Sequence, residues 1–203
     1  VHAVFSAARI GRIDDIAYFA PGESPQAAPE NTADAPKGAE DGLVVIPTPV
    51  RTEITHSATE EESAYLEGLK AGKLIGTRIG SGVDEGRVYF PPRSVSPADG
   101  APAVERVELP HTGIVTTFCI VNVPFQGQRI TPPYVAAYVL LDGANIPFLH
   151  LILDCEASDV RMGMRVKAVW IPEDEWEHSI GNISHFAPTG EPDAEYDTYK
   201  DHL

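Results

Sequence analysis

The chain has 203 residues, and its 30 acidic side chains outnumber 15 lysines and arginines, for a formal net charge of −15. That field repels phosphate, which argues against a nucleic-acid partner. Two cysteines are too few for a disulfide framework or a four-thiolate metal site, and no run approaches the roughly 20 apolar residues of a membrane-spanning helix.

Mildly apolar Val1–Ala8 precedes Arg9 and Arg12. A secretory signal has the reverse order, with its positive charge first, so a cytoplasmic protein is expected. Val1–Ala20 has room for a short helix or strand around Ile10–Phe19. Pro21–Gly42 is rich in Pro and Ala and holds no large apolar residue. Such a segment cannot bury enough surface to offset chain entropy, so a flexible or disordered linker is expected there. Leu43–Ile46, cut off by Pro47 and Pro49, reads as an edge strand or an arm lying on a partner. Residues 1–58 together form an N-terminal extension.

Thr59 followed by Glu62 is a capping-box pattern, and Glu60 and Glu61 suit the positive end of a helix dipole. The pattern predicts a helix over Glu60–Ala71, with Tyr65, Leu66 and Leu69 as its apolar stripe and Gly72 as its stop. So short a helix must dock on something. Residues 76–100 are rich in Gly, Pro and Ser, interrupted by Gly86–Arg93 (GRVYFPPR), a short strand leading into a Pro-Pro turn. From Val104 the pattern turns to β. Strand-like runs occupy Gly113–Val123, Tyr134–Leu141, Pro147–Leu153 and Arg165–Ile171, and Asp142-Gly143 marks a hairpin between the second and third. Their spacing suggests a small closed barrel over residues 104–172, with the five-stranded OB type one candidate. Residues 173–203 read as an acidic tail whose Trp176, Phe186, Tyr196 and Tyr199 suggest that part of it packs on the barrel or on a partner.

Four phrases in order carry a resemblance: Tyr65–Leu74 (YLEGLKAGKL), Gly86–Arg93, Pro132–Gly143 (PPYVAAYVLLDG) and Asp159–Val166 (DVRMGMRV). Together they look like the acyl-CoA-associated OB-fold proteins, over about Glu60 to Trp170. The resemblance implies a lead helix, a rubredoxin-like zinc ribbon and an OB fold. It also implies a role as obligate partner of thiolase-like, lipid-transfer-type enzymes that cleave C–C bonds in steroid or fatty acyl-CoA side chains. A hetero-oligomer follows, in which the CoA ester is bound mainly by the partner. One departure stands out. The family's two CxxC knuckles would fall here on Gly82, Glu85, Ser96 and Asp99, and none is a cysteine. A structural zinc site closes on four S or N ligands. The expectation is therefore a degenerate ribbon without zinc, held by packing, by the Pro91-Pro92 pair or by the partner.

Several residues admit two readings. Tyr89, Phe90 and Arg93 beside Pro91 and Pro92 form either a local core under the ribbon or a patch facing a partner, where aromatics and Arg are favoured. Pro133 and Tyr134 have the same two readings. Tyr65 and Leu69 on the helix and Trp176 in the tail complete the candidate partner interface. Arg93 is also the candidate contact for a CoA phosphate, although no Gly-rich loop or helix N-terminus accompanies it. Cys119 and Cys155 read as buried free thiols. His2, His56, His111, His150, His178, His185 and His202 show no HxxxH or HxH spacing, so no metal site is expected. His150 reads as a core or interface histidine, and His178 and His185 read as surface residues. No catalytic residue is assigned. The main reading is a non-catalytic partner subunit. The alternatives are a stand-alone module binding an acyl-CoA or other small ligand and, ranked last, a self-sufficient enzyme.

Overall fold

The computed structural model describes residues 3–7, 50–55, 57–124 and 130–203. The expectations for Ile10–Phe19, for the linker 21–42 and for Leu43–Ile46 lie outside them. The chain divides into two compact units, Val1–Ser57 and Ala58–Leu203. In the first, β1 (Ala3–Ala7) and β2 (Val50–Ile54) pair antiparallel, with Phe5 opposite Thr52. Neither strand is predicted from sequence.

The second unit opens with α1 (Glu60–Lys70). Its capping box forms as predicted: Thr59 Oγ1 accepts from the Glu62 N–H at 3.2 Å, and the Glu62 carboxylate accepts from the Thr59 N–H at 2.8 Å. The helix ends in a Schellman motif. The Gly72 N–H donates to Leu69 O, the Lys73 N–H donates to Gly68 O, and Gly72 takes φ +68°, a conformation that favours glycine.

A three-stranded antiparallel sheet follows, in the order β4–β3–β5, from β3 (Leu74–Ile79), β4 (Val88–Tyr89) and β5 (Ala103–Leu109). This is the ribbon lobe. β5 corrects the expected boundary, because residues from Val104 to Leu109 belong to the ribbon and not to the barrel. Its register with β3, Leu74 opposite Leu109 and Thr77 opposite Arg106, is a long-range pairing that local composition does not encode.

The barrel comprises β6 (Thr112–Val121), β7 (Tyr134–Leu141), β8 (Phe148–Ile152), β9 (Arg165–Trp170) and β10 (Ile183–Pro188), closed in the order β10–β8–β7–β6–β9. Counted within the barrel this is 1-2-3-5-4, with β8 and β10 parallel, the arrangement of an OB fold. The fold is mainly β, an OB barrel preceded by a helix, as the sequence suggests. The predicted hairpin across Asp142-Gly143 is the β7–β8 pair. The fifth strand is a second boundary correction: β10 lies within the expected acidic tail. It is stitched to the end of β8 by the Leu153 N–H donating to Phe186 O and by His185 Nε2, 2.9 Å from the Asp154 carboxylate. His185, expected at the surface, is therefore buried.

One apolar core runs through helix, ribbon and barrel. Edge-to-face contacts carry it from Tyr65 to Phe90 (5.6 Å between ring centroids), from Phe90 to Phe148 (5.1 Å) and from Phe148 to Phe186 (5.8 Å). Phe90, Phe186, Leu69, Val115, Val139 and Val166 are fully buried around this row. Stacked edges of this kind add to the hydrophobic gain of each ring. His150 joins the row beside Phe148 and Phe186, and burial pushes its pKa down.

Candidate functional site

The predicted interface residues separate by burial. Leu69, Tyr89 and Phe90 are buried in this chain's own core, so the local-core reading holds for them and they cannot face a partner. Tyr65 is half-buried against Phe90, and its loss of solvent raises its pKa to about 12. Trp176 is also half-buried. It covers Gly72, where a Cβ would come within 2.7 Å of the indole, stands 5.2 Å from Trp170, and donates from Nε1 to Ile171 O at 2.9 Å. Trp176 therefore pins the end of α1 to the segment after β9. Asn182, not singled out from sequence, completes this junction. It is 1% exposed, and its amide donates to Leu69 O (3.0 Å) and Glu177 O (2.7 Å) while accepting from the Glu177 N–H (3.0 Å).

The remaining candidates lie at the surface. Pro91, Arg93 and Pro133 are exposed, and Pro92 and Tyr134 are partly so. Phe90–Pro91 and Pro132–Pro133 are both cis. The backbone of Arg93 is fixed by Thr77, whose hydroxyl accepts from the Arg93 N–H at 2.9 Å and donates to Arg93 O at 2.8 Å. The Arg93 guanidinium has no carboxylate partner among the described residues. The outward face of β6–β8 is uncharged. Tyr138 stands between Thr117 and Leu149, and Ala136 stands between Cys119 and Leu151. Tyr138, Leu149 and Cys119 are exposed there. Cys119 thus corrects the expectation of a buried thiol, because the register shift between Val115 and Thr117 turns it outward. Cys155 is half-buried, and burial raises its pKa. The Cys155 shift is opposite to the one that activates a nucleophilic thiol.

The four positions of the family's metal knuckles fall on the two ribbon loops, 80–86 and 94–102. Their donor set does not fit a structural zinc. Gly82 has no side chain. The Ser96 hydroxyl donates to Asp84 Oδ2 at 2.5 Å and accepts from the Ala98 N–H. The two Asp99 oxygens accept from the N–H groups of Val83 (2.7 Å) and Ala101 (3.0 Å). Glu85 is exposed. At the centre lies Asp84, 4% exposed, which also accepts from the Tyr89 hydroxyl at 2.8 Å and pairs with Arg87 at 3.4 Å. The Ser96 and Tyr89 hydroxyls hold the Asp84 carboxyl below the usual carboxylate range. This network lies outside every sequence expectation. The residues themselves signal only a pair of aspartates among glycines, which also describes a solvated loop; the missing cysteines mark the place but not the contacts.

Several other ionisable groups among the described residues are spent on structure. Arg165 grips Asp142 with two bonds of 2.6 and 2.7 Å, and Arg161 does the same for Asp193. A shallow cleft lined by Glu61, Thr77, Val104 and Arg106 has its guanidinium paired with Glu60 and Glu61. Among the described residues no group of three His, Cys, Asp or Glu side chains converges as metal ligands would, and no helix is long and apolar enough to cross a membrane.

Residues 106–171 match the family described as ChsH2, C-terminal OB-fold domain. A DUF35 domain-containing scaffold protein of Methanocaldococcus jannaschii is 38% identical over 99 residues, covering 48% of this chain and 67% of that protein. A second, from Pyrococcus furiosus, is 31% identical over 91 residues, covering 45% of this chain and 66% of that protein. Among solved structures the chain is similar to an Ltp2-ChsH2(DUF35) aldolase, with TM-score 0.48 and 20% identity over 66% of this chain and 98% of that chain. It is also similar to a DUF35-family protein of unknown function from Sulfolobus solfataricus, with TM-score 0.45 and 17% identity over 64% of this chain and 84% of that chain. With a helix, a ribbon and an OB barrel in the order its sequence implies, and with a relative 38% identical across two thirds of that relative's length, the chain belongs to the DUF35 domain-containing family.

Proposed function

We propose that this chain is a non-catalytic partner subunit of a thiolase-like acyl-CoA enzyme of the lipid-transfer type. Retro-aldol or thiolytic C–C cleavage of a steroid or lipid side chain would be carried by the partner's residues, which would also bind the CoA ester. The observation that supports this most is family membership, through relatives named as scaffold proteins. The match of residues 106–171 to the ChsH2 OB-fold family supports the choice of partner class. The chemistry of the described residues agrees: Arg78, Arg87, Arg106, Arg161 and Arg165 are committed to carboxylates, and burial raises the Cys155 thiol pKa. Docking falls to the groups left at the surface, Pro91, Pro92 and Arg93 on the ribbon, and Pro133 and Tyr134 before β7.

Co-expression with a lipid-transfer-type thiolase homologue tests the reading. The two chains are expected to co-purify as a hetero-oligomer, and Arg93→Glu with Tyr134→Ala should weaken that association without lowering the melting temperature of the isolated chain. Separate elution of the two wild-type chains contradicts the proposal.

A further inference from the structure

The two ribbon loops, 80–86 and 94–102, meet without a cysteine or histidine in either. We propose that two reciprocal carboxylates, Asp84 and Asp99, clamp the loops 80–86 and 94–102 in place of a metal, so that the lobe folds and stays folded without one. This inference concerns the chain alone and does not depend on the identity of its partner.

Reciprocity is the first argument. Asp84 reaches from the first loop to the Ser96 hydroxyl of the second, and Asp99 reaches from the second loop back to the Val83 N–H of the first. A zinc ion in a ribbon does the same work by taking two ligands from each loop. The second argument is steric. A Cβ placed on Gly82 would lie 2.0 Å from Asp99 Oδ2, and Gly82 sits at φ +81°. The carboxylate thus fills the space that a ligand side chain at position 82 would need. A side chain at position 82 would therefore have to displace the Asp99 carboxylate. Satisfaction is the third. Asp84 receives two hydroxyl donors and faces Arg87, and both Asp99 oxygens accept backbone N–H groups. Asp84, the buried one of the two, is stable in the fold only when its lone pairs are met in this way. The fourth is position. Tyr89, which anchors Asp84, precedes Phe90, and Phe90 joins α1 to the barrel. The clamp therefore adjoins the strand that leads to Pro91, Pro92 and Arg93.

Hydrogen–deuterium exchange of the full chain, followed by mass spectrometry, tests the clamp directly, because exchange reports local opening separately for lobe and barrel. Peptides from 80–102 are compared with peptides from 134–152, with and without 1,10-phenanthroline. Chelator should leave both sets unchanged. Ser96→Ala and Asp84→Asn should each raise exchange in 80–102 by about tenfold or more, the effect expected for loss of a charge-assisted hydrogen bond, and leave 134–152 unchanged. Should Asp84→Asn fail to fold, Ser96→Ala alone decides. Faster exchange of the lobe on chelation, or an unchanged lobe in the variants, overturns the inference.

Discussion

The barrel and the ribbon lobe are held together by different physics within one unit. The barrel is closed on itself, and its inward positions Val115, Val135, Val139, Ile152 and Val166 are fully buried and apolar. Closure removes every strand edge, and apolar burial does the rest. The ribbon sheet is small, its outer strand β5 is largely exposed, and its tips contain glycine and proline. It holds its loops by polar bonds, buried at Asp84 and exposed at Asp99, and borrows its apolar support from Phe90, inserted between helix and barrel. The difference teaches where each region should fail. Loss of volume should damage the shared core, whereas loss of one donor or acceptor should open the ribbon and leave the barrel intact.

The largest effect should come from Phe90→Ala, which empties a fully buried ring site shared by α1, ribbon and barrel. A loss of about 3–5 kcal/mol is expected from urea unfolding. Asn182→Ala comes next. It strips a buried partner from Leu69 O, Glu177 O and the Glu177 N–H. About 2–3 kcal/mol should be lost, with added exchange concentrated at α1 and residues 176–182. Gly82→Ala should cost about 1–2 kcal/mol, through both its positive φ and the collision with Asp99, and should loosen only the ribbon tips. Thr59→Ala removes one half of the capping box, for about 1 kcal/mol and a lower helical signal in circular dichroism.

Acid provides the mildest of these tests, and it applies to the barrel. The Arg165 guanidinium holds the Asp142 carboxyl below its ordinary range, aided by the Thr112 hydroxyl and opposed by partial burial. A carboxylate whose pKa is depressed on folding contributes stability above its unfolded pKa of about 4 and loses it as pH falls through the folded value. Asp142→Asn should therefore melt below the wild type at pH 7, and the gap should close as pH falls below about 4. A gap independent of pH would contradict the assignment.

Much of this was legible in the sequence, for reasons that separate the two regions again. The helix declares itself locally, through Thr59, Glu62 and Gly72. The runs that become β6 to β9 are long, β-branched and punctuated by turns. β10 was not legible. Its sequence ISHFAP carries polar residues, ends in proline and lies among acids, and only parallel pairing with β8 makes it a barrel strand. β5 was misplaced because AVERVEL alternates like any half-exposed strand, and partner choice is a long-range matter. Leu69, Tyr89 and Phe90 illustrate a further limit: an apolar side chain on a docking element reads alike whether its own core or a partner buries it. The clamp depends on contacts 12 to 16 residues apart, which no local pattern reveals, although the missing cysteines marked where to look.

The central functional claim is that chemistry belongs to the partner and that this chain supplies the scaffold. Acyl-CoA cleavage measured in three samples tests it most directly: this chain alone, the lipid-transfer-type enzyme alone, and the co-purified complex. The account predicts no turnover by the chain alone and higher turnover by the complex than by the enzyme alone. Turnover by the isolated chain, or an enzyme equally active without it, would contradict the account.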